Sequence, residues 1–364
     1  MNRARAMLVP CGLAIAAPAL AQAPEGMPRA VTLLKEVQES YGVSGDEHRV
    51  RELVLRQLPS WAKPAVDTAG NVWVRVGQGG APVVFIAHMD ELGFRVDSIR
   101  PDGSLALVAR GGFFTWLWEA SPALVHAARA PVPGVFAPRD SLSRQPGRAV
   151  PAGLRVDVGT ASRAETEALG VKVGDYVTNP KRFVRLAGTK ATGRSFDDRV
   201  GSTAQLLALR DLDRTRLKHE VLFIWSVREE TGLEGAIVAA RELGTRPARV
   251  HAIDTFVSAD SPVDPQNYAV APLGHGPVIR ATDNGAVTPP PLVDSLRQLA
   301  KKHGIPVQYG TTGGSNDGAP FTAYGVPNVA IGWPLRYSHS PAETIDLRDV
   351  VALADLIRAV AEDW

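Results

Sequence analysis

The run "PVVFIAH" at 82–88 carries apolar residues up to its final histidine, with no polar residue between them. A strand with one face in water alternates apolar and polar residues with period two. This one therefore has to be covered on both faces, as a central strand of a helix-covered sheet is. The surrounding pattern agrees. Two amphipathic stretches, "AVTLLKEVQESYG" and "DEHRVRELVLRQLP", read as helices separated by the turn "VSG", and "NVWVRV" reads as a neighbouring strand. Later, helix and strand alternate: a helix at 199–212, "EVLFIWSV", a helix after Gly235, "RVHAID", "GPVIRAT", a helix at 291–303, "IPVQYG", "VPNVAIG" and a terminal helix at 347–364. The expected fold class is α/β, an α/β/α sandwich around a central mixed sheet.

Between residues 94 and 190 the texture changes to short β-like pieces ("FRVDSI", "SLALVA", "ALVHAA", "GLRVDV", "DYVTNP", "RFVRLAG") broken by turn signals such as "RPDG", with one helical stretch, "SRAETEALG". These residues, 94–190, read as a β-rich domain inserted into a main domain made of 24–93 and 191–364. The first 23 residues carry Arg3 and Arg5, an apolar run at 7–20 and a small-residue end, Ala21-Gln22-Ala23. That is the pattern of a cleaved signal peptide, so the protein is expected to be exported, to the periplasm or the medium. Pro10 and Pro18 interrupt a run shorter than the ~20 residues a spanning helix needs.

The charge balance then loses its basic excess. Of 40 Lys and Arg against 38 Asp and Glu, the leader removes two arginines and no acid, leaving 38 against 38. That balance argues against a nucleic-acid partner and, after cleavage, against a membrane surface. The single cysteine, Cys11, lies in the leader, so the mature chain is expected to use neither disulfides nor thiol chemistry. No Gly-x-Ser-x-Gly elbow is present either.

Open α/β sheets bind ligands beyond the carboxyl ends of their strands. "PVVFIAH" ends at His88, "EVLFIWSVREE" at Glu229 and Glu230, and "RVHAID" at Asp254; His339 follows "VPNVAIG" in a loop, and "GRSFDDRVG" puts Asp197 and Asp198 at a helix entry. Each has an ordinary reading: a hydrogen-bonded pair, a solvated face, a helix cap. Together, mixed nitrogen and oxygen donors on one sheet rim suit Zn²⁺, Co²⁺ or Mn²⁺. Glu229 and Glu230 would face opposite ways on an extended backbone. Asp90, two residues beyond His88, shares its face and could orient its ring.

The motifs "AHMDELGF", "FDDRVG", "VREETGLEGA", "AIDTFVSAD" and "RYSHSPAETIDLRDV", with "YGVSGDEHRVRELV" and "LGVKVGDYV", resemble the successive motifs of the tetrahedral aminopeptidases, the dinuclear metallopeptidases that include glutamyl and deblocking aminopeptidases. The resemblance covers nearly all of the chain beyond the leader. It implies two divalent metal ions per subunit, Zn²⁺ foremost, with Co²⁺ or Mn²⁺ as alternatives. Asp197 would bridge them, His88 and Asp254 would complete one site, and Glu230 and His339 the other. Glu229 would be the general base, and Asp90 would stand behind His88. It implies peptide substrates shortened from their N-terminus, and a lid that takes part in homo-oligomers, up to a hollow dodecamer. A carboxypeptidase or deacylase on the same ligand scaffold, and a silent metal- or peptide-binding module, are the alternatives.

Two segments are less typical. "FFTWLWEASPALVHAARAPVPGVFAPRDSLSRQPGRAV" matches the family poorly; its aromatic cluster (Phe113, Phe114, Trp116, Trp118) is expected to be lid core rather than substrate pocket. "TTGGSNDGAP" resembles the family's Gly-rich segment lining the pocket for the substrate's N-terminal residue, which implies a recognition role for Asn316 and Asp317; an ordinary cap of a short helix is the other reading.

Overall fold

The computed structural model describes residues 26–138, 153–258, 260 and 270–364. Residues 1–23, the expected leader with Cys11, and residues 139–150 of the divergent segment lie outside them.

The strand Val83–His88 is buried along its whole length. It lies parallel to Val221–Ser226 on one side and Arg249–Val257 on the other. The eight-stranded sheet runs in the order Pro64–Val66, Val72–Val76, Val221–Ser226, Val83–His88, Arg249–Val257, Ile331–Leu335, Val278–Thr282, Gln308–Thr311. Val72–Val76 is antiparallel to both its neighbours, and Val278–Thr282 is antiparallel to Ile331–Leu335, so the sheet is mixed.

The missing polar alternation has its expected cause. Phe85 and Ala87 pack into a core shared with helices Met27–Glu39, Phe196–Arg210 and Leu347–Asp363. Val84 and Ile86 point the other way, into a core shared with helix Glu234–Leu243 and Phe321. Full burial of one such side chain contributes about 1.5–3 kcal/mol. A polar residue at either parity would therefore land in a core.

Within the insertion, six antiparallel strands close a barrel in the order Gly93–Ile99, Leu105–Arg110, Arg155–Asp157, Val132–Phe136, Ser121–Val125, Tyr176–Thr178. Val132–Phe136 is a strand beyond the pieces expected from the sequence; it contains Pro133 and Gly134 and is paired on both sides. The piece expected at 182–188 lies outside the barrel. Val184–Arg185 pairs with Lys190–Gly193, which pairs with Glu343–Asp346 beside the main domain.

Two strand assignments need correction where the chemistry lies. The strand carrying "EVLFIWSV" stops at Ser226, so Glu229 and Glu230 sit in a turn, in which the Glu229 carbonyl accepts from the Gly232 and Leu233 amides. Asp254 lies inside Arg249–Val257, not at its end. The parity of that strand, not its termination, aims the carboxylate. Among the described residues no helix is long and apolar enough to cross a membrane.

Candidate metal centre

At one rim of the sheet the chain gathers the residues marked in the sequence. His88 Nε2 lies 3.2 Å from Asp197 Oδ1, and His339 Nε2 lies 3.4 Å from Asp197 Oδ2 and 3.7 Å from Glu230 Oε2. Two groups of donor atoms result, His88–Asp197–Asp254 and Asp197–Glu230–His339, each with all its donors within 4.8 Å of one another. Asp197 belongs to both. Its two oxygens face different imidazoles, which is the geometry a bridging carboxylate needs. The Asp197-Asp198 peptide is cis. Asp198 turns away, its Oδ1 accepting from the Trp333 indole (3.0 Å) and the Gly201 amide (2.9 Å).

The electrostatics ask for positive charge. Burial would raise the Asp197 pKa, but hydrogen bonds from His339 and His88 outweigh it and hold the carboxyl well below the usual range. Its neighbours lack that help. Burial, with Asp197 close by, pushes Glu230 up to about 8 and Asp254 to about 6. Burial, with Asp254 and Glu230 near, also carries Glu229 well above its ordinary value. Glu230 Oε1 is buried without a hydrogen-bond partner. Asp197, Glu229, Glu230 and Asp254 bring four negative charges when ionised, and two divalent ions bring four positive ones. The donor set and the orphaned oxygen therefore fit a pair of cations.

The loops around the donors are held by further contacts. Asp90 does more than stand beside His88, whose Nδ1 is 3.4 Å from Asp90 Oδ1. Its carboxylate also accepts from the Glu229 amide (2.9 Å), the Glu230 amide (3.1 Å) and the Ser44 hydroxyl. Glu229 and Glu230 are thus set by two amides converging on one carboxylate, which replaces the expected extended backbone. His339 Nδ1 contacts the Gly112 carbonyl of the insertion at 2.6 Å. A donated proton there leaves Nε2 free to face Glu230 and Asp197. Ser195, Arg228, Tyr337 and His339 all adopt positive φ (63°, 53°, 59° and 60°). Non-glycine residues in that region cost energy that surrounding contacts must offset, and these four flank the cluster.

A cavity of about 840 Å³ opens over the carboxylates. The aromatic cluster divides there. Phe113 and Trp118 pack with Phe94 in the barrel core, as expected, and Phe113 also reaches the cavity wall. Phe114 and Trp116, 69% and 54% exposed, line the cavity, contrary to the lid-core expectation. The turn Thr115–Trp118 puts neighbouring aromatics on opposite sides, and sequence composition cannot separate them. Asn316 and Asp317 are buried beneath the site: Asn316 binds Asp283 and Asn328, and Asp317 meets Ser226. That leaves Thr312 to Ser315 as the part of the Gly-rich segment lining the cavity.

Glu91 had no assigned role, and it proves to be the centre of a buried ionic hub. It meets Lys181, Arg194 (3.0 Å) and Arg199 (2.8 Å), all at most 3% exposed at their side chains. Although burial opposes its ionisation, Arg194, Lys181 and Arg199 hold its pKa at about 2. One carboxylate cannot balance three cations, and burial pushes Lys181 well below its ordinary value. Lys181 follows the last barrel strand and also binds the Ser40 carbonyl, so the hub ties the insertion to the main domain. Arg194 and Arg199 flank the aspartate pair; their sequence position was visible, but not their common partner.

A mixed α/β sheet whose rim gathers two histidines and four carboxylates, roofed by an inserted barrel, defines a metal-dependent hydrolase. Comparison with known proteins specifies it. The M42 glutamyl aminopeptidase family profile matches residues 70–356. A lysyl aminopeptidase of Pyrococcus furiosus is 34% identical over 355 residues, covering 91% of this chain and 96% of its own. Among solved structures, the TET1 peptidase of Pyrococcus horikoshii, described as assembling into a tetrahedron or a large octahedral shell, superposes with TM-score 0.83 at 34% identity, covering 92% of this chain and all of that one. An aminopeptidase of Desulfurococcus kamchatkensis gives TM-score 0.87 at 30% identity, covering 93% of this chain and 96% of its own. The chain belongs to the M42 family of aminopeptidases, enzymes that hydrolyse peptide bonds with a dinuclear metal centre.

Proposed function

We propose that the protein is an exported dinuclear aminopeptidase that removes apolar N-terminal residues from peptides, with Glu229 as general base. The observation that carries this reading is the pair of donor groups sharing Asp197. His88 and Asp254 would hold one ion, Glu230 and His339 the other, with Asp197 between them. Such a pair supplies Lewis acidity, lowering the pKa of a bound water and polarising a carbonyl. Glu229 lines the same cavity outside both donor groups, and its raised pKa suits a group that takes a proton from water and returns it to the leaving amine.

The lining supports the side-chain preference. Arg280, which reaches the cavity, is engaged by Asp254 (3.3 Å), Asp283 (3.2 Å) and the Thr255 carbonyl (3.0 Å). Among the described lining residues no other Lys or Arg is present to receive an acidic side chain. Phe114 and Trp116 offer an aromatic surface instead.

A panel of free and N-acetylated aminoacyl p-nitroanilides tests both points. Expected is cleavage of free-amine substrates only, fastest with Leu or Phe, abolished by chelation and restored by Zn²⁺, Co²⁺ or Mn²⁺. Cleavage of the acetylated substrates would move the reading to a deacylase. Phe114→Ala with Trp116→Ala is expected to raise KM for the Leu substrate about 10-fold, because losing about half of the burial of a leucine side chain removes roughly 1.4 kcal/mol. A preferred Glu or Lys substrate, unaffected by these changes, would overturn the pocket assignment.

Export rests on Arg3, Arg5 and the apolar run at 7–20. The exported protein is expected to have an intact mass lacking residues 1–23; a full-length chain confined to the cytoplasm would refute this. Homo-oligomeric assembly is supported by the shells described for the Pyrococcus horikoshii relative.

A further inference from the structure

Glu343 is 2% exposed and lies four residues beyond His339, at the start of the strand Glu343–Asp346. Its two carboxylate oxygens reach two separate pieces of backbone. Oε2 accepts from the Phe196 amide at 2.7 Å and the Asp197 amide at 3.2 Å. Oε1 accepts from the His339 amide at 3.1 Å. One side chain thus joins the helix entry carrying Asp197 to the loop carrying His339. The strand itself is anchored independently, through its pairing with Lys190–Gly193.

The two donor groups depend on this clamp unequally. His88 ends the central strand and Asp254 lies within its neighbour, so both sit on sheet backbone. His339 lies outside helix and strand, at φ 60°. Its backbone amide is held by Glu343, and its ring by the Gly112 carbonyl. We infer that Glu343 is a positioning residue for the Asp197–Glu230–His339 site, fixing the distance between Asp197 and His339 without itself holding an ion. The inference rests on the two-metal reading above. A glutamine in its place has one acceptor oxygen and would turn an amide N–H toward one of the two clamped segments, so it can hold either segment but not both.

The test is a titration of metal-free protein with Co²⁺, followed by calorimetry and visible absorption, for wild type, Glu343→Gln, Glu343→Asp and His339→Ala. His339→Ala marks the step that belongs to the second site. Expected are two steps in wild type, loss of the marked step in His339→Ala, and a 10–100-fold weaker marked step in Glu343→Gln with the other step unchanged. Glu343→Asp, which keeps the charge and loses one methylene of reach, is expected to fall between wild type and Glu343→Gln. An unchanged marked step, or equal weakening of both steps, would overturn the positioning role. If Glu343→Gln does not fold by circular dichroism, Glu343→Asp is judged by the same criterion, and failure of both to fold also overturns a site-specific role. Wild type binding fewer than two Co²⁺ would instead remove the two-metal reading, and this inference with it.

Discussion

Glu229→Gln is expected to lower kcat on a Leu substrate by ~10²–10⁴-fold while leaving two metal-binding steps intact. That is about 3–5 kcal/mol of lost transition-state stabilisation. The amide keeps the shape of the side chain but cannot take a proton. KM should change little, because the role proposed for Glu229 lies in the proton transfer and not in holding the peptide. The choice of Glu229 over its neighbour follows from placement: Glu230 shares a donor group with Asp197 and His339, whereas Glu229 lines the cavity outside both groups. Metal analysis beside steady-state kinetics decides it. A variant with both ions and more than a tenth of wild-type kcat would exclude Glu229 as the base.

Glu91→Gln should cost about 3–5 kcal/mol of stability, because it strands Arg194, Arg199 and Lys181 without their common anion. The sign of its pH dependence follows from a depressed carboxyl. Glu91 has a pKa of about 2 in the fold against an ordinary value of 4.5. Its stabilising contribution is therefore complete above pH 4.5 and is lost as pH falls from 4.5 toward 2. The gap between wild type and variant, measured by urea unfolding, should be widest near neutrality and should narrow below pH 4.5. A gap that widens on acidification would show that the hub does not hold Glu91 ionised. Because the hub joins the insertion to the main domain, limited proteolysis of the variant should also cut first between barrel and sheet.

Part of this was legible in the sequence for a physical reason. Burial on both faces forces apolar residues at every position from Val83 to Ala87, so that strand announces its own place in the sheet. The histidines and carboxylates that could hold metal have few other reasons to gather at a sheet rim, and their residue types advertise them. Glu229 and Glu230 were legible as a pair but not in conformation. The turn that holds them is set by Asp90, which is distant in sequence.

What sequence alone determined was local: the amphipathic period of the helices, the double burial of the central strand, and a set of donors capable of holding divalent cations. Tertiary structure decided which of those groups share a neighbour. Asp197 became the common member of two donor groups, Glu91 the anion for three cations, Glu343 a clamp between two backbone segments, and Phe114 and Trp116 a cavity wall while Trp118 entered a core. Such roles depend on distance between residues far apart along the chain. Periodicity and composition act over a few residues, while Coulombic pairing and hydrogen bonding act over a few ångströms of space that only the fold brings about.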